Sequence, residues 1–329
     1  MSKPADVYSA ILEEARTVVI GNESILEGLT IALLTDGNVL LEGVPGVAKT
    51  TVARVFARAS GLQYRRIQMT PDMLPADITG TTIYRQTTGE FELQRGPVFA
   101  NVVVADEINR ATPKSQSALL EAMEEQTVTI EGETLSLPEP FILIATQNPI
   151  EMEGVFELPE AQRDRFQLKY TVELPDTNEE RRLLDRADAD PGFDAADIEQ
   201  VVTEAELAAA TDAVDEIHVA SEIKEYVLAL VSATRQTEQL RHGGSPRASL
   251  SFLQAAKARA AIHDRNYVIP DDIKALAFPV LRNRIIRSTD AELAERTSEE
   301  ILEELIESVT PPGAQEADVQ FADDEAAQS

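Results

Sequence analysis

Val39-Leu40-Leu41-Glu42-Gly43-Val44-Pro45-Gly46-Val47-Ala48-Lys49-Thr50 is an apolar run that breaks into a glycine-rich turn and ends on a lysine and a hydroxyl. The Thr51–Ala59 stretch that follows has helical spacing, so the order is strand, tight loop, helix. Such a junction suits a phosphate cradle. Gly43 and Gly46 let the main chain approach an anion, and the loop Gly43, Val44, Pro45, Gly46, Val47, Ala48, Lys49 and Thr50 wraps it at a helix start. In this reading Lys49 reaches the β- and γ-phosphates of a nucleotide, and the Thr50 hydroxyl ligates Mg²⁺. Ala48 stands where the usual pattern has its last glycine, and its small side chain is expected to keep the close approach.

Outward from this loop, short apolar runs alternate with helical patterns as far as residue 175, which predicts a parallel sheet covered by helices. The candidate strands are 39–42, 64–69, 98–105, 141–146 and 167–172. The run 98–105 shows little alternation, as expected of a strand buried on both faces. It delivers Asp106 and Glu107 at its carboxyl end. There Asp106 can hold Mg²⁺ through water and Glu107 can polarise an attacking water. A third apolar run, Ile142-Leu143-Ile144-Ala145-Thr146-Gln147-Asn148, ends on an amide able to orient that water.

Two turn-rich stretches, 71–97 and 127–140, read as hairpins inserted between core elements. The sequence gives no charge or aromatic cluster in them that identifies a partner. After residue 175 the composition turns acidic and rich in Ala and Leu, with helical patterns and no strand signal. The domains are therefore expected at 1–175 (α/β), 176–309 (helical) and 310–329, a disordered acidic tail. Ser245-Pro246 predicts a helix start that places Arg247 in the first turn, with Leu250, Leu253, Ala256 and Ala260 on the buried face. His218, His242 and His263 lack metal-ligand spacing.

The composition excludes several classes. The 329 residues include 58 acidic and 29 basic ones, for a net charge of −29. That surface repels a phosphodiester backbone, which argues against nucleic acid as a partner. No Cys is present, so thiolate metal sites and Cys nucleophiles are excluded and a reducing, cytoplasmic setting fits. No apolar run is long enough for a membrane span, and no signal peptide is visible. Only seven of the basic residues are lysine, and scarce Lys beside abundant Asp and Glu fits a protein adapted to high salt.

Taken together, Gly43–Thr50, Gly-Pro-Val-Phe-Ala-Asn (96–101), Ala-Asp-Glu-Ile-Asn-Arg (105–110), Leu-Leu-Glu-Ala-Met-Glu-Glu (119–125), Ala-Thr-Gln-Asn-Pro (145–149), Leu-Pro-Glu-Ala-Gln-Arg-Asp-Arg-Phe (158–166) and Ser-Pro-Arg-Ala-Ser (245–249) resemble the MoxR branch of the AAA+ ATPases. The resemblance runs over about residues 8–309. It implies an AAA+ P-loop core with a central parallel five-stranded sheet, plus an all-α C-terminal lid. It further implies that Asn148 is sensor 1, Arg247 is sensor 2, and Arg165 is the arginine finger given to a neighbouring subunit. Arg163 departs from the family's usual apolar residue and competes with Arg165. Val19-Ile20-Gly21-Asn22 occupies the place near the base, where Gly21 allows close approach. The resemblance also implies a homo-oligomeric, hexameric ring, a von Willebrand factor A domain partner, and chaperone-like remodelling or maturation of partner proteins.

Three alternatives share this core: a magnesium-chelatase-like subunit, a nucleic-acid motor, and a nucleotide-gated module that hardly hydrolyses. Charge argues against the motor, and the intact Asp106-Glu107 pair argues against the idle switch.

Overall fold

The computed structural model describes residues 3–87, 89–149, 155–189, 195 and 197–312. Among these, eleven strands and thirteen α-helices are formed. The strands are β1 (Val39–Glu42), β2 (Tyr64–Gln68), β3 (Gly80–Arg85), β4 (Glu90–Arg95), β5 (Val102–Asp106), β6 (Thr127–Ile130), β7 (Glu133–Ser136), β8 (Ile142–Gln147), β9 (Leu168–Thr171), β10 (Leu240–His242) and β11 (Ile286–Arg287). The helices of the first half are α1 (Pro4–Ala15), α2 (Glu23–Leu33), α3 (Lys49–Ala59), α4 (Pro75–Thr79), α5 (Pro113–Glu125), α6 (Glu160–Arg163), α7 (Thr177–Ala189) and α8 (Glu204–Asp215). Those of the second half are α9 (Ser221–Gln236), α10 (Pro246–Ile262), α11 (Pro270–Leu281), α12 (Thr289–Leu293) and α13 (Ser298–Ser308).

Five strands form one sheet in the order β2-β5-β8-β1-β9, parallel throughout. Parallel strands need crossovers, and the helices between them cover the sheet. β5 is buried along its whole length and β8 up to its last residue, which explains their unbroken apolar sequences. On one face Leu40, Ile67, Val103, Ala105, Leu143 and Ala145 join Leu119, Leu120 and Met123 of α5 in a single apolar core. Helix α3 packs over β2, β5 and β8.

The strand expected at 98–105 is shorter than its apolar run. Val98 and Ala100 are fully buried, but they lie in a turn: Phe99 donates its N–H to Gly96 and Ala100 to Val98, while Val98 donates to the Ile78 carbonyl. Their hydrophobicity reflects core packing rather than strand formation. Asn101 then fixes the strand start, accepting from the Gln63 N–H (3.2 Å) and donating to the Pro140 carbonyl (2.9 Å).

Both insertions contain antiparallel hairpins, β3–β4 and β6–β7, and the short helix α4 precedes the first. The register of β3–β4 sets Tyr84 opposite Phe91, with ring centroids 5.2 Å apart. Both rings are exposed. The aromatic cluster missed in the linear sequence is thus created by strand pairing.

The chain divides into two compact units between Val214 and Asp215, later than the composition change at 175. The described residues of 176–214 are tied to the first unit. Val201 donates its N–H to the Ala59 carbonyl, Glu199 donates its N–H to Glu14, and Arg186 donates to the Val18 carbonyl. Composition detects the polar surface of α7, on which no residue is buried, but it does not detect these anchors.

The second unit is a helical assembly with one small antiparallel ribbon, β10–β11. These strands are too short for an alternating pattern to show. Asp272, fully buried at the start of α11, accepts hydrogen bonds from Arg259 on α10, from Arg265 and from the Ile269 N–H. The buried face of α10 is carried by Ala248, Phe252, Ala255 and Ala256. Leu250, expected there, is exposed and lines a shallow apolar groove with Leu228 and Leu253. Most of the expected tail, residues 313–329, lies outside the described residues.

Candidate nucleotide site

The glycine-rich loop joins β1 to α3, and its shape depends on residues in left-handed backbone. Gly46 has φ +88°, and a Cβ there would meet nothing within 4 Å, so the loop stands open on that side. Gly43 is required for a different reason. A Cβ there would lie 2.5 Å from the Val172 carbonyl, which forces glycine by close packing. Ala48 adopts φ +60° and ψ +18° directly before α3, so its departure from glycine strains the backbone rather than blocking the approach.

Lys49 is half-buried at the first position of α3. Its Nζ donates to the Gly43 carbonyl, to the Val44 carbonyl at 3.3 Å and to the Gln147 carbonyl at 3.5 Å. Burial lowers its ammonium pKa below the ordinary lysine value, while Asp106, Glu107 and Glu42 pull it back up. Those carboxylates end β5 and β1, so cation and acids meet at the carboxyl edge of the sheet. Thr50 follows in the first turn of α3.

Thr146, on β8, organises the acids. Its Oγ1 donates to Asp106 Oδ1 at 2.5 Å and accepts the Glu107 N–H at 2.9 Å. Glu107 needs that support, because it too has left-handed backbone, at φ 58° and ψ 52°. The edge strand β2 supplies two further partners. Arg66 donates to Asp106, and Gln68 donates to Glu107 at 2.9 Å. Arg110 lies 3.3 Å from Glu107. Thr146, Arg66 and Gln68 escaped the sequence reading because contacts with Asp106 and Glu107 depend on strand order. The one available signal was alternation along β2, which puts Tyr64, Arg66 and Gln68 on a common face.

Asn148 is buried immediately after β8. Arg165 is held within its own chain, 2.7 Å from Glu124 and donating to the Leu120 carbonyl at 3.3 Å. At Gly21, which has φ +71°, the space a Cβ would take is filled by the Glu179 carboxylate of α7, 2.2 Å away. Arg247 is exposed in the first turn of α10, in the second unit. The predicted cap is present there, with the Ser245 hydroxyl accepting the Arg247 N–H at 3.1 Å.

The donors fit a magnesium–nucleotide complex. A hydroxyl, a carboxylate and an open loop beside a lysine are hard oxygen ligands with a counter-charge for phosphate. Among the described residues no three His, Cys, Asp or Glu side chains converge on a common metal position.

A strand-loop-helix cradle on β1, with two acids at the end of β5 and β8 lying between the two strands, has the layout of an AAA-type nucleotide-binding core. Residues 38–168 match the ATPase family associated with various cellular activities, and residues 232–305 match the AAA lid domain. The chain is 43% identical to the chaperone MoxR1 of Mycobacterium tuberculosis, over 91% of this chain and 81% of that one. It is 42% identical to the Bacillus subtilis protein YeaC, over 92% and 93% respectively. A crystal structure of a protein from Cytophaga hutchinsonii, provisionally classed as an ATPase, superposes with a TM-score of 0.86 at 36% identity, covering 94% of this chain and 96% of that one. The chain belongs to the MoxR family of AAA+ ATPases.

Proposed function

We propose that this protein hydrolyses ATP with Mg²⁺ and uses the cycle to remodel or mature partner proteins. The observation that carries the reading is the meeting of Lys49, Asp106, Glu107 and Thr146 at the carboxyl edge of adjacent strands. In this reading Lys49 exchanges the loop carbonyls for the β- and γ-phosphates, and the N–H groups of the loop surround them. Thr50, and Asp106 through water, would hold the magnesium, which would neutralise charge on the phosphates. Glu107 takes the proton of the attacking water, and buried Asn148 orients it.

Arg247 is assigned to the transferring phosphoryl group from the lid. Arg165 is assigned to the site of the next subunit in a homo-oligomeric, hexameric ring, with Arg163 as its competitor. For Arg165 this requires release from Glu124. A von Willebrand factor A domain protein is the proposed partner and the cytoplasm the proposed location. Among the described residues no helix is long and apolar enough to cross a membrane.

Glu107→Gln tests the chemistry. It should lower steady-state ATP turnover by at least about 100-fold, the scale of a lost general base, while ATP binding persists. Wild-type turnover in that variant would remove Glu107 from the mechanism, and absence of Mg²⁺-dependent turnover in the parent would refute the reading.

A further inference from the structure

The carboxylate of Asp106 is occupied on both oxygens. Thr146 donates to Oδ1 at 2.5 Å. Arg66 donates to Oδ2 from Nε at 3.0 Å and again from Nη2, which also donates to Gln68 Oε1 at 2.6 Å. The Asp106 side chain is only 11% exposed, whereas that of Arg66 is 49% exposed.

We infer that Arg66 is a positioning residue that takes the place of the divalent cation on Asp106, and that it yields Oδ2 when the magnesium–nucleotide complex binds. This rests on the reading of the site given above. The asymmetry in exposure is the reason for exchange. A buried carboxylate left without a cation is strongly destabilising, whereas a half-exposed guanidinium can return to water at little cost. Arg66 therefore supplies the countercharge to Asp106 and orients it in the resting site. The same contact opposes the metal, because two cations cannot share Oδ2 without repulsion. The reach from β2 is set by the sheet: Arg66 and Gln68 lie on one strand face, and Gln68 is in register with Asp106.

The test measures binding, not turnover. The dissociation constant of a fluorescent N-methylanthraniloyl-ADP is determined in EDTA and in excess Mg²⁺, and the ratio of the two gives the tightening due to metal. Arg66→Ala should increase that ratio by roughly tenfold, the scale of a lost charged hydrogen bond. Arg66→Lys, which keeps the charge but loses the fork, should fall between. Thermal unfolding supplies the second readout. Arg66→Ala should melt below wild type in EDTA, and the gap should close with Mg²⁺ and ADP, a pattern that general loss of folding does not produce.

An unchanged or smaller metal ratio in Arg66→Ala overturns the inference. Failure of the wild-type protein to bind the ADP analogue overturns the parent reading, and this one with it. Intact binding with unaltered metal coupling overturns this one alone.

Discussion

Ala48 and Glu107 are both site residues held at positive φ, 60° and 58° respectively. A Cβ makes that conformation unfavourable by about 1–2 kcal/mol, and such strain collects where a loop must present its atoms to a ligand. At Glu107 the side chain is needed and Thr146 secures the backbone. At Ala48 no side-chain chemistry is needed, so the strain can be removed. Ala48→Gly relieves it but gives back roughly 0.5–1 kcal/mol through the larger entropy of unfolded glycine. The expected net gain is about 0–1.5 kcal/mol in denaturant unfolding, with nucleotide affinity retained. A variant less stable than its parent would show that the left-handed turn is not strained.

Among the elements, α10 and α11 are joined through the buried Asp272. Burial disfavours its charge, but hydrogen bonds from Arg265, the Ile269 N–H and Arg259 outweigh that effect and hold its carboxyl below the ordinary aspartate value. A depressed carboxylate pKa stabilises the fold above the unfolded value, about 3.9. That stability is lost as pH falls through the lower folded value. Asp272→Asn should cost roughly 3–5 kcal/mol, the range for breaking a buried ion pair. It should also remove this component of the acid dependence. Hydrogen exchange across α10 and α11 between pH 3 and pH 7 checks both effects, and protection equal to the parent's would count against the linkage.

For the whole molecule the governing quantity is the net charge of −29. Self-repulsion of that size destabilises the compact state, and salt screens it over about 10 Å at 0.1 M and about 3 Å at 1 M. Unfolding midpoints should therefore rise from 0.1 M to 2 M KCl, in contrast to a protein held mainly by surface ion pairs. A midpoint that falls over this range would refute the salt-adapted reading. Lys49, Arg66 and Arg110 gather around Asp106 and Glu107, where phosphate is proposed to bind.

Local sequence is enough to read the glycine-rich loop before α3, the acidic pair that follows the apolar run of β5, the parallel core and the capped start of α10. Each is written in adjacent residues, through glycine at tight backbone, unbroken apolar runs and a Ser-Pro helix start. Tertiary structure alone decided the rest. Strand order brought Thr146, Arg66 and Gln68 onto residues some 40 positions away in sequence. Register set Tyr84 opposite Phe91, and packing carried the first unit on to Val214. The apolar residues 98–100 and the exposed Leu250 make the point. Hydrophobicity records that a residue prefers burial, but the neighbour that buries it, or leaves it exposed, is chosen only when the chain closes on itself.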